Sequence, residues 1–276
     1  QERYIIQPLG GRQIDEVTAP LVIQTVKSIE RAGHQATLKR VLMRTREVMD
    51  LAVCAGYIHH NPVDRVSRVF AAPIVKPMPS VHWRELPRVM EIVMSAPKRT
   101  QLLFAWACLS LLRPIETVKV RWDWFDADVL TIPSTEMKKA REHRLPLLPI
   151  MLDVLQAAKA ESPHPKSPFI WAGRVSGKHM SEQTLAKFFR GTELKGRLVA
   201  HGIRSIGRSW MADHDAPFEV AEACLSHVSG SSVSRAYQRS DYLTQRRTLM
   251  ASWCSYVSDC AREVGFLPDI FKADTA

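Results

Sequence analysis

The run QLLFAWACLSLL, from Gln101 to Leu112, is apolar on nearly every side of a helix. A helix hydrophobic all round belongs inside a protein, so the run predicts a central buried helix that other elements must wrap. The chain has the means to wrap it. Its 276 residues are 46% apolar and 24% charged, the composition of a globular protein with a sizeable core. No apolar run approaches the ~18 residues that a membrane span needs, so the core is the protein's own and no membrane partner is expected.

The cover is legible on both sides of that run. Downstream, RPIETVKVRW sets Arg113 at the end of the buried helix and Pro114 in the first turn of the next. The stretch WDWFDADVLTIPSTEMKKAREHRLPLLP reads as short strands broken at Asp126-Ala-Asp128 and at a charged turn over 136–142. A small antiparallel sheet fits it, with Trp122 and Trp124 as core aromatics. Further helices are expected over 83–95, 152–160, from an N-cap at Ser181 through Phe189, from Pro217 to Ser226, and from Leu243 onward. The last carries a stripe of Leu249, Met250, Trp253 and Val257. The tail GFLPDIFKADTA that follows holds Phe266, Leu267, Ile270 and Phe271. It either folds back on its own domain or docks on a neighbouring copy, and both readings stay open.

Upstream, residues 1–17 form a leading arm with a turn at Gly10-Gly11. Thr18 caps a helix with Pro20 in its first turn, ending near Gly33. A second helix runs from about Ala36 to Cys54, with Leu38, Val41, Leu42, Val48, Met49 and Ala52 facing inward. Lys39, Arg40, Arg44 and Arg46 lie mostly off that stripe, as a solvated surface or a DNA-backbone face. Asn61-Pro62 opens a short helix, VDRVSRVF. The run AAPIVKPMPS is an extended linker, and its Lys76 is in a position to touch a phosphate. The fold expected is mostly α with a small antiparallel β-sheet (α+β), in three parts: a helical unit over 1–71, a linker over 72–81 and a larger domain over 82–276. The first residue is Gln1 rather than Met, which suggests a fragment.

Lysine plus arginine number 38 and aspartate plus glutamate 28, for a net charge of +10. That surplus points to a polyanionic partner, nucleic acid before a membrane surface. Cys54, Cys108, Cys224, Cys254 and Cys260 are an odd, scattered set without a Cys-x-x-Cys pair. They read as reduced thiols of a cytoplasmic protein, mostly packed. Cys54 with His59 and His60 lacks zinc-ligand spacing, and no cofactor or metal is expected.

The chemistry concentrates late in the chain. His201 and Arg204 stand three apart on one helix face, His227 ends the Pro217 helix, and a loop with Gly230 leads to Tyr237. Arginine presents a planar fork suited to phosphate oxygens, histidine moves protons near neutral pH, and tyrosine can form a covalent intermediate. Taken singly these residues are weak signals. A His-x-x-Arg pair is common on solvated helices, and a tyrosine is usually half-buried with its hydroxyl satisfied. His143 and His214 read as surface or packing residues.

Five ordered motifs together resemble the tyrosine recombinases, the phage-integrase family, in the branch of satellite-phage, prophage and genomic-island integrases. They are LRPIE around Arg113, MKKAREHRLPL around Lys138, HGIR at His201–Arg204, LSH at 225–227, and AYQRSDYLTQRRTLMASW containing Tyr237. YIIQPLG, GYIHHNPV and VKPMPSVHWRELP resemble the core-binding domain and linker of that branch. The resemblance implies a two-domain C-shaped clamp around double-stranded DNA core sites, a homotetramer on DNA, and an excisionase or a host DNA-bending protein as a further partner. An arm-site DNA-binding domain expected at the N-terminus of this branch is missing here.

The resemblance also implies roles. Tyr237 attacks a DNA phosphate to give a 3′-phosphotyrosyl link, without ATP. Arg113 and Arg204 stabilise the phosphate charge, Lys138 is the general acid, and His201 and His227 bond phosphate oxygens or move the tyrosine proton. Glu116 orients a neighbour, and Arg208 supports the site or meets the DNA backbone. Lys139 rivals Lys138 and Tyr242 rivals Tyr237; hairpin register favours Lys138, and the interval from His227 favours Tyr237. The family's usual glycine before the first arginine motif is replaced by Leu111-Leu112. Rival functions are a type IB topoisomerase-like nicking-closing enzyme and a non-catalytic DNA-binding regulator on the same fold.

Overall fold

The structure, a computed structural model, describes residues 2–74, 77–137, 140–227 and 240–272. The chain divides into two compact units, Gln1–Pro77 and Met78–Ala276.

The first unit is built on α1 (Ala19–Arg31) and α2 (Gln35–Cys54). Val22, Val26 and Ile29 of α1 pack with Leu38, Val41, Leu42 and Met49 of α2, and Leu9, Val17, Val63 and Val66 close the cluster. One expected core residue is misplaced. Val48 is 50% exposed, because the buried stripe of α2 runs 38, 41, 42, 45, 49, 52 and Thr45 fills the place between Leu42 and Met49. Thr45 satisfies its buried hydroxyl by donating to Val41 O at 3.0 Å. The short helix expected over 63–70 is a turn followed by a 3-10 segment, Val66–Val69.

In the second unit, α3 (Leu86–Val93) leads into α4 (Lys98–Ser110), the run that anchored the sequence reading. Every residue from Leu102 to Ser110 is buried. Its walls include α3, α5 (Pro114–Lys119), α6 (Pro149–Ala160), α7 (Thr184–Arg190), α8 (Gly202–Asp213) and α10 (Leu243–Val264). A further short helix, α9 (Phe218–Cys224), packs on α8 and α10. The sheet is small and antiparallel, in the order β1 (Phe125–Asp126), β2 (Val129–Ile132), β3 (His143–Pro146), with Leu130 opposite Leu145 and Ile132 opposite His143. The expectation of a mostly helical protein with a small antiparallel sheet holds.

Two loose ends are drawn into this core. Phe266, Leu267 and Phe271 are each at most 2% exposed, and the Phe266 ring meets Phe104 of α4 edge-on at 6.0 Å. The tail up to Phe271 thus folds back on its own unit. At the other end, Val199 N–H donates to Pro79 O at 3.3 Å and the Ser80 hydroxyl donates to Gly202 O at 3.0 Å. The close of the stretch read as linker is therefore packed against the start of α8. A Cβ at Gly202 would lie 2.4 Å from Pro79 O, so only glycine fits directly after His201.

The exit from α4 is strained. Leu111 has φ 53° and ψ 23°, a left-handed conformation that costs an L-residue roughly 1–2 kcal/mol. Its side chain is wholly buried, and a Cβ placed on Gly207 of α8 would come within 2.6 Å of Leu111 Cδ2. The two positions share one volume. Gly207→Ala should lower stability by about 1–3 kcal/mol through overpacking. In a Leu111→Gly background, which also relieves the backbone, the same alanine should cost much less. Denaturant unfolding of the two single variants and the double variant measures this coupling, and additive free energies would contradict shared volume.

Candidate active site

Three helix termini of the second unit converge. The first is the junction of α4 and α5. Arg113 is the N-cap of α5, and Glu116 stands at its third position. The Glu116 carboxylate accepts from the Arg113 backbone N–H at 3.0 Å and from Arg113 Nη1 at 2.8 Å. One buried acid thus caps the helix and fixes the arginine side chain.

The second is the start of α8. His201 is its N-cap and half-buried, and Arg204 follows one turn later, only 3% exposed. Arg204 Nη1 donates to Leu111 O, and Nη2 donates to Leu225 O. These carbonyls end α4 and α9, where unsatisfied C=O groups concentrate negative partial charge. Burial, and then the neighbouring Arg113, pull the Arg204 pKa down to about 10, which leaves it charged at neutral pH.

The third is the C-terminus of α9. Ser226 takes φ 50°, Ser226 N–H donates to Ala223 O at 3.0 Å, and His227 N–H donates to Glu222 O at 2.9 Å. This is a Schellman ending with serine in the left-handed position that glycine usually fills. It turns Ser226 O toward Arg113, whose Nη2 donates to it at 3.1 Å. It also sets His227 Nε2 3.0 Å from Arg204 Nη2.

Arg113, Glu116, Arg204 and His227, four of the residues singled out from the sequence, therefore meet at one turn, with His201 a helical turn from Arg204. Each guanidinium has five N–H groups, and the carbonyls, Glu116 and His227 engage only some of them. Arg204 Nε is buried without a hydrogen-bond partner. The cluster is rich in fixed donors and can hold a tetrahedral anion.

A layer behind it went unnoticed in the sequence. His143, expected as surface or packing, is buried at the head of β3 with Nε2 unpartnered. Burial and the charges of Arg246, Arg204 and Arg113 hold its pKa well below the usual range. Arg246 of α10 is 2% exposed, with Nε and Nη2 unpartnered. Glu222 is the other addition. Its Oε1 accepts from Arg208 Nε at 2.8 Å, and Oε2 lies 2.9 Å from His227 Nδ1. Arg208, read from the sequence as a supporting or DNA-backbone residue, is thus engaged with Glu222. Other expected packing is mostly in place: His214 stacks on Trp210 at 4.2 Å, and all five cysteines are free thiols, four of them buried. Trp122 and Trp124, expected as core aromatics, are only half-buried and pack on the edge of the core beside the sheet.

Lys138, its rival Lys139, Lys76 and Tyr237 lie outside the described residues. Met137 and Ala140, which flank the lysines, are joined by Ala140 N–H to Met137 O at 3.0 Å. Tyr242 is half-buried at the N-cap of α10. In the first unit Lys39, Arg40 and Arg44 are exposed. Arg44 pairs with Glu47 at 2.6 Å, and Arg46 with Asp64 at 2.9 Å, so part of that basic face is neutralised internally. Among the described residues no group of three or more His, Cys, Asp or Glu is placed to hold a metal, and no helix is long and apolar enough to cross a membrane.

Residues 81–243 match the phage integrase family, and residues 1–69 match the phage integrase central domain. The chain is 35% identical to prophage integrase IntA of Escherichia coli K12, over 93% of this chain and 63% of that protein. It is 25% identical to the integrase of Enterobacteria phage P4, over 93% of this chain and again 63% of the relative. The chain thus spans less than two thirds of the length of these relatives. In fold it is similar to a lambda integrase dimer bound to a COC′ core site, with TM-score 0.62 and 17% identity over 85% of this chain and 84% of that one. It is likewise similar to a lambda integrase tetramer bound to a Holliday junction, with TM-score 0.64 and 17% identity over 83% of this chain and 67% of that one. With the family matched across more than half of its length, the chain belongs to the phage integrase family of tyrosine recombinases.

Proposed function

We propose that the chain is the recombining part of a site-specific DNA recombinase that breaks and rejoins DNA to insert or excise a mobile element. The observation that carries this is the meeting of Arg113, Arg204 and His227 at the Leu225–His227 turn. Two guanidiniums held by carbonyls, with a histidine beside them, suit a phosphodiester whose charge must be stabilised as it is attacked.

In this reading the Tyr237 hydroxyl attacks the scissile phosphorus. The new phosphotyrosyl bond replaces the bond to the 5′-oxygen, which leaves as a hydroxyl after taking a proton from Lys138. The tyrosine proton passes to His227, His201 or water. Arg113 and Arg204 bind the non-bridging oxygens, and Glu116 holds Arg113 in register. A 5′-hydroxyl from a second strand then reverses the step at the same phosphorus, so no external energy source is consumed. Lys39, Arg40 and Arg44 of the first unit, Lys76, and the remaining N–H groups of Arg208 would face the DNA backbone. The residues 1–71, 72–81 and 82–276 would then be core-binding domain, linker and catalytic domain. The assembly would be a tetramer on two core sites, with an excisionase or DNA-bending protein setting direction.

Three outcomes test this. On a nicked core-site duplex the chain should form a covalent adduct on a denaturing gel, and Tyr237→Phe should form none while still binding. An adduct surviving in Tyr237→Phe would move the nucleophile elsewhere, with Tyr242 the first alternative. Arg204→Lys keeps the charge but loses the fork, and it should slow single-turnover cleavage by about 10²–10³-fold. An unchanged rate would remove Arg204 from the phosphate site. Core-site affinity should fall steeply as salt rises from 50 to 200 mM, by on the order of 10³-fold for about six phosphate contacts. A salt-insensitive affinity would exclude a backbone clamp.

A further inference from the structure

We infer that Glu222, held by Arg208, is a positioning residue that sets which nitrogen of His227 carries the proton. The inference rests on the recombinase reading for its consequence in the reaction, but the geometry that supports it does not.

Glu222 and His227 are five residues apart, beyond the three- and four-residue spacings at which side chains meet on a helix. The Schellman ending of α9 removes that separation. In this motif the second residue past the cap folds back over the third residue from the helix end, and an apolar contact between them commonly follows. Here those two positions are His227 and Glu222. The turn is tied twice, by His227 N–H to Glu222 O at 2.9 Å and by the ring Nδ1 to Glu222 Oε2 at 2.9 Å.

The tautomer follows from donor and acceptor chemistry. Arginine has donors only. Arg204 Nη2 lies 3.0 Å from His227 Nε2, so that nitrogen must present its lone pair. The proton of the neutral ring is then on Nδ1, where the Glu222 carboxylate accepts it. Both neighbours select the same form. Glu222 is itself constrained: its side chain is 16% exposed, and its other oxygen is occupied by Arg208 Nε at 2.8 Å. Burial pushes the Glu222 carboxyl up, but the hydrogen bonds from Arg208 and His227 outweigh it and the net direction is down, which keeps the acceptor ionised. Burial, against the pull of Glu222 and with the push of Arg204, takes the His227 pKa down, which keeps the ring neutral near pH 7.

The functional consequence is that Nε2, whose lone pair faces Arg204, is the ring atom that can take up a proton, such as that of the tyrosine, when the Arg204 contact is given up. If the ring gains a proton there, Nδ1–H still points at a carboxylate that balances the imidazolium. A histidine in the opposite tautomer would offer its lone pair away from Arg204 and oppose an N–H to an N–H. The arrangement parallels the buried acid that orients a catalytic histidine in hydrolytic triads.

The test reads the tautomer directly. Nitrogen-15 NMR of the histidine rings, with His227 assigned by its loss in His227→Gln, should show Nδ1–H in the wild type and a mixture of tautomers in Glu222→Leu, where Arg204 alone still favours that form. Glu222→Gln keeps an acceptor for Nδ1–H and should retain the wild-type form. Because Glu222 O, the backbone acceptor, survives every substitution, the turn itself stays tied, and thermal melts check this. Single-turnover cleavage at saturating DNA should slow by about 10- to 100-fold in Glu222→Leu and less in Glu222→Gln, with core-site affinity unchanged. Arg208→Leu, which frees Glu222 to move, provides a second variant and should give a smaller shift of the tautomer and a smaller loss of cleavage rate at saturating DNA, with weaker core-site affinity because Arg208 also faces the DNA backbone. An unshifted tautomer in both Glu222→Leu and Arg208→Leu would overturn the inference, as would a shifted tautomer with full cleavage rate. If the wild type forms no covalent adduct while the tautomer still depends on Glu222, the recombinase reading fails and the tautomer assignment stands.

Discussion

The second unit depends on how it keeps one guanidinium inside. Arg204 is almost wholly removed from water, and an unpaired buried charge costs several kcal/mol. What offsets that cost directly is the carbonyl ends of two helices, α4 at Leu111 and α9 at Leu225, with the charges of Glu116 and Glu222 acting from further off. Those carbonyls are free because helices leave their last C=O groups unbonded, and they carry the negative end of the helix dipole. The buried charge therefore dictates where two helices stop. Both stop by turning left-handed at a residue that is not glycine, Leu111 and Ser226. Local strain at two caps is the counterpart of one well-held cation.

This arrangement suits anion chemistry better than an ion pair would. A carboxylate partner would neutralise Arg204 and compete with a phosphate. Carbonyl dipoles fix its position and leave its unit charge in place, so the site meets an anion with donors already oriented. Arg113 is handled differently. It does carry a carboxylate partner, Glu116, whose second oxygen is spent on capping α5. The two arginines reach consecutive carbonyls, Leu225 and Ser226, which brings two like charges to one turn and accounts for part of the downward pull on Arg204.

Much of this was readable before any coordinates. The all-round apolar run from Gln101 predicted α4, the last helix starts at Leu243 as expected, and the motifs at Arg113, Arg204 and His227 picked out residues that do meet. The misses have physical causes. Val48 looked like core because it is apolar beside Met49, yet Thr45 sits on the buried stripe with its hydroxyl returned to the backbone. Glu222 escaped because its partner is reached across a helix end, not along a helix face. The carbonyl partners of Arg204 carry no sequence signature, since any residue supplies a C=O. His143 read as incidental because nothing in a sequence shows that the charges of four arginines will bear on one imidazole. Arg208 stands on α8 one turn beyond Arg204, but an acid from the next helix claims it.

The volume shared by Leu111 and Gly207 has a consequence for how such a site changes over generations. A side chain acquired at 207 while the leucine is present meets an occupied space, so that step is costly. Trimming 111 first opens a void that either position can later fill. History at these two positions is therefore directional: the leucine, once seated, holds its neighbour at glycine, and lineages that filled 207 early would have kept a small residue at 111.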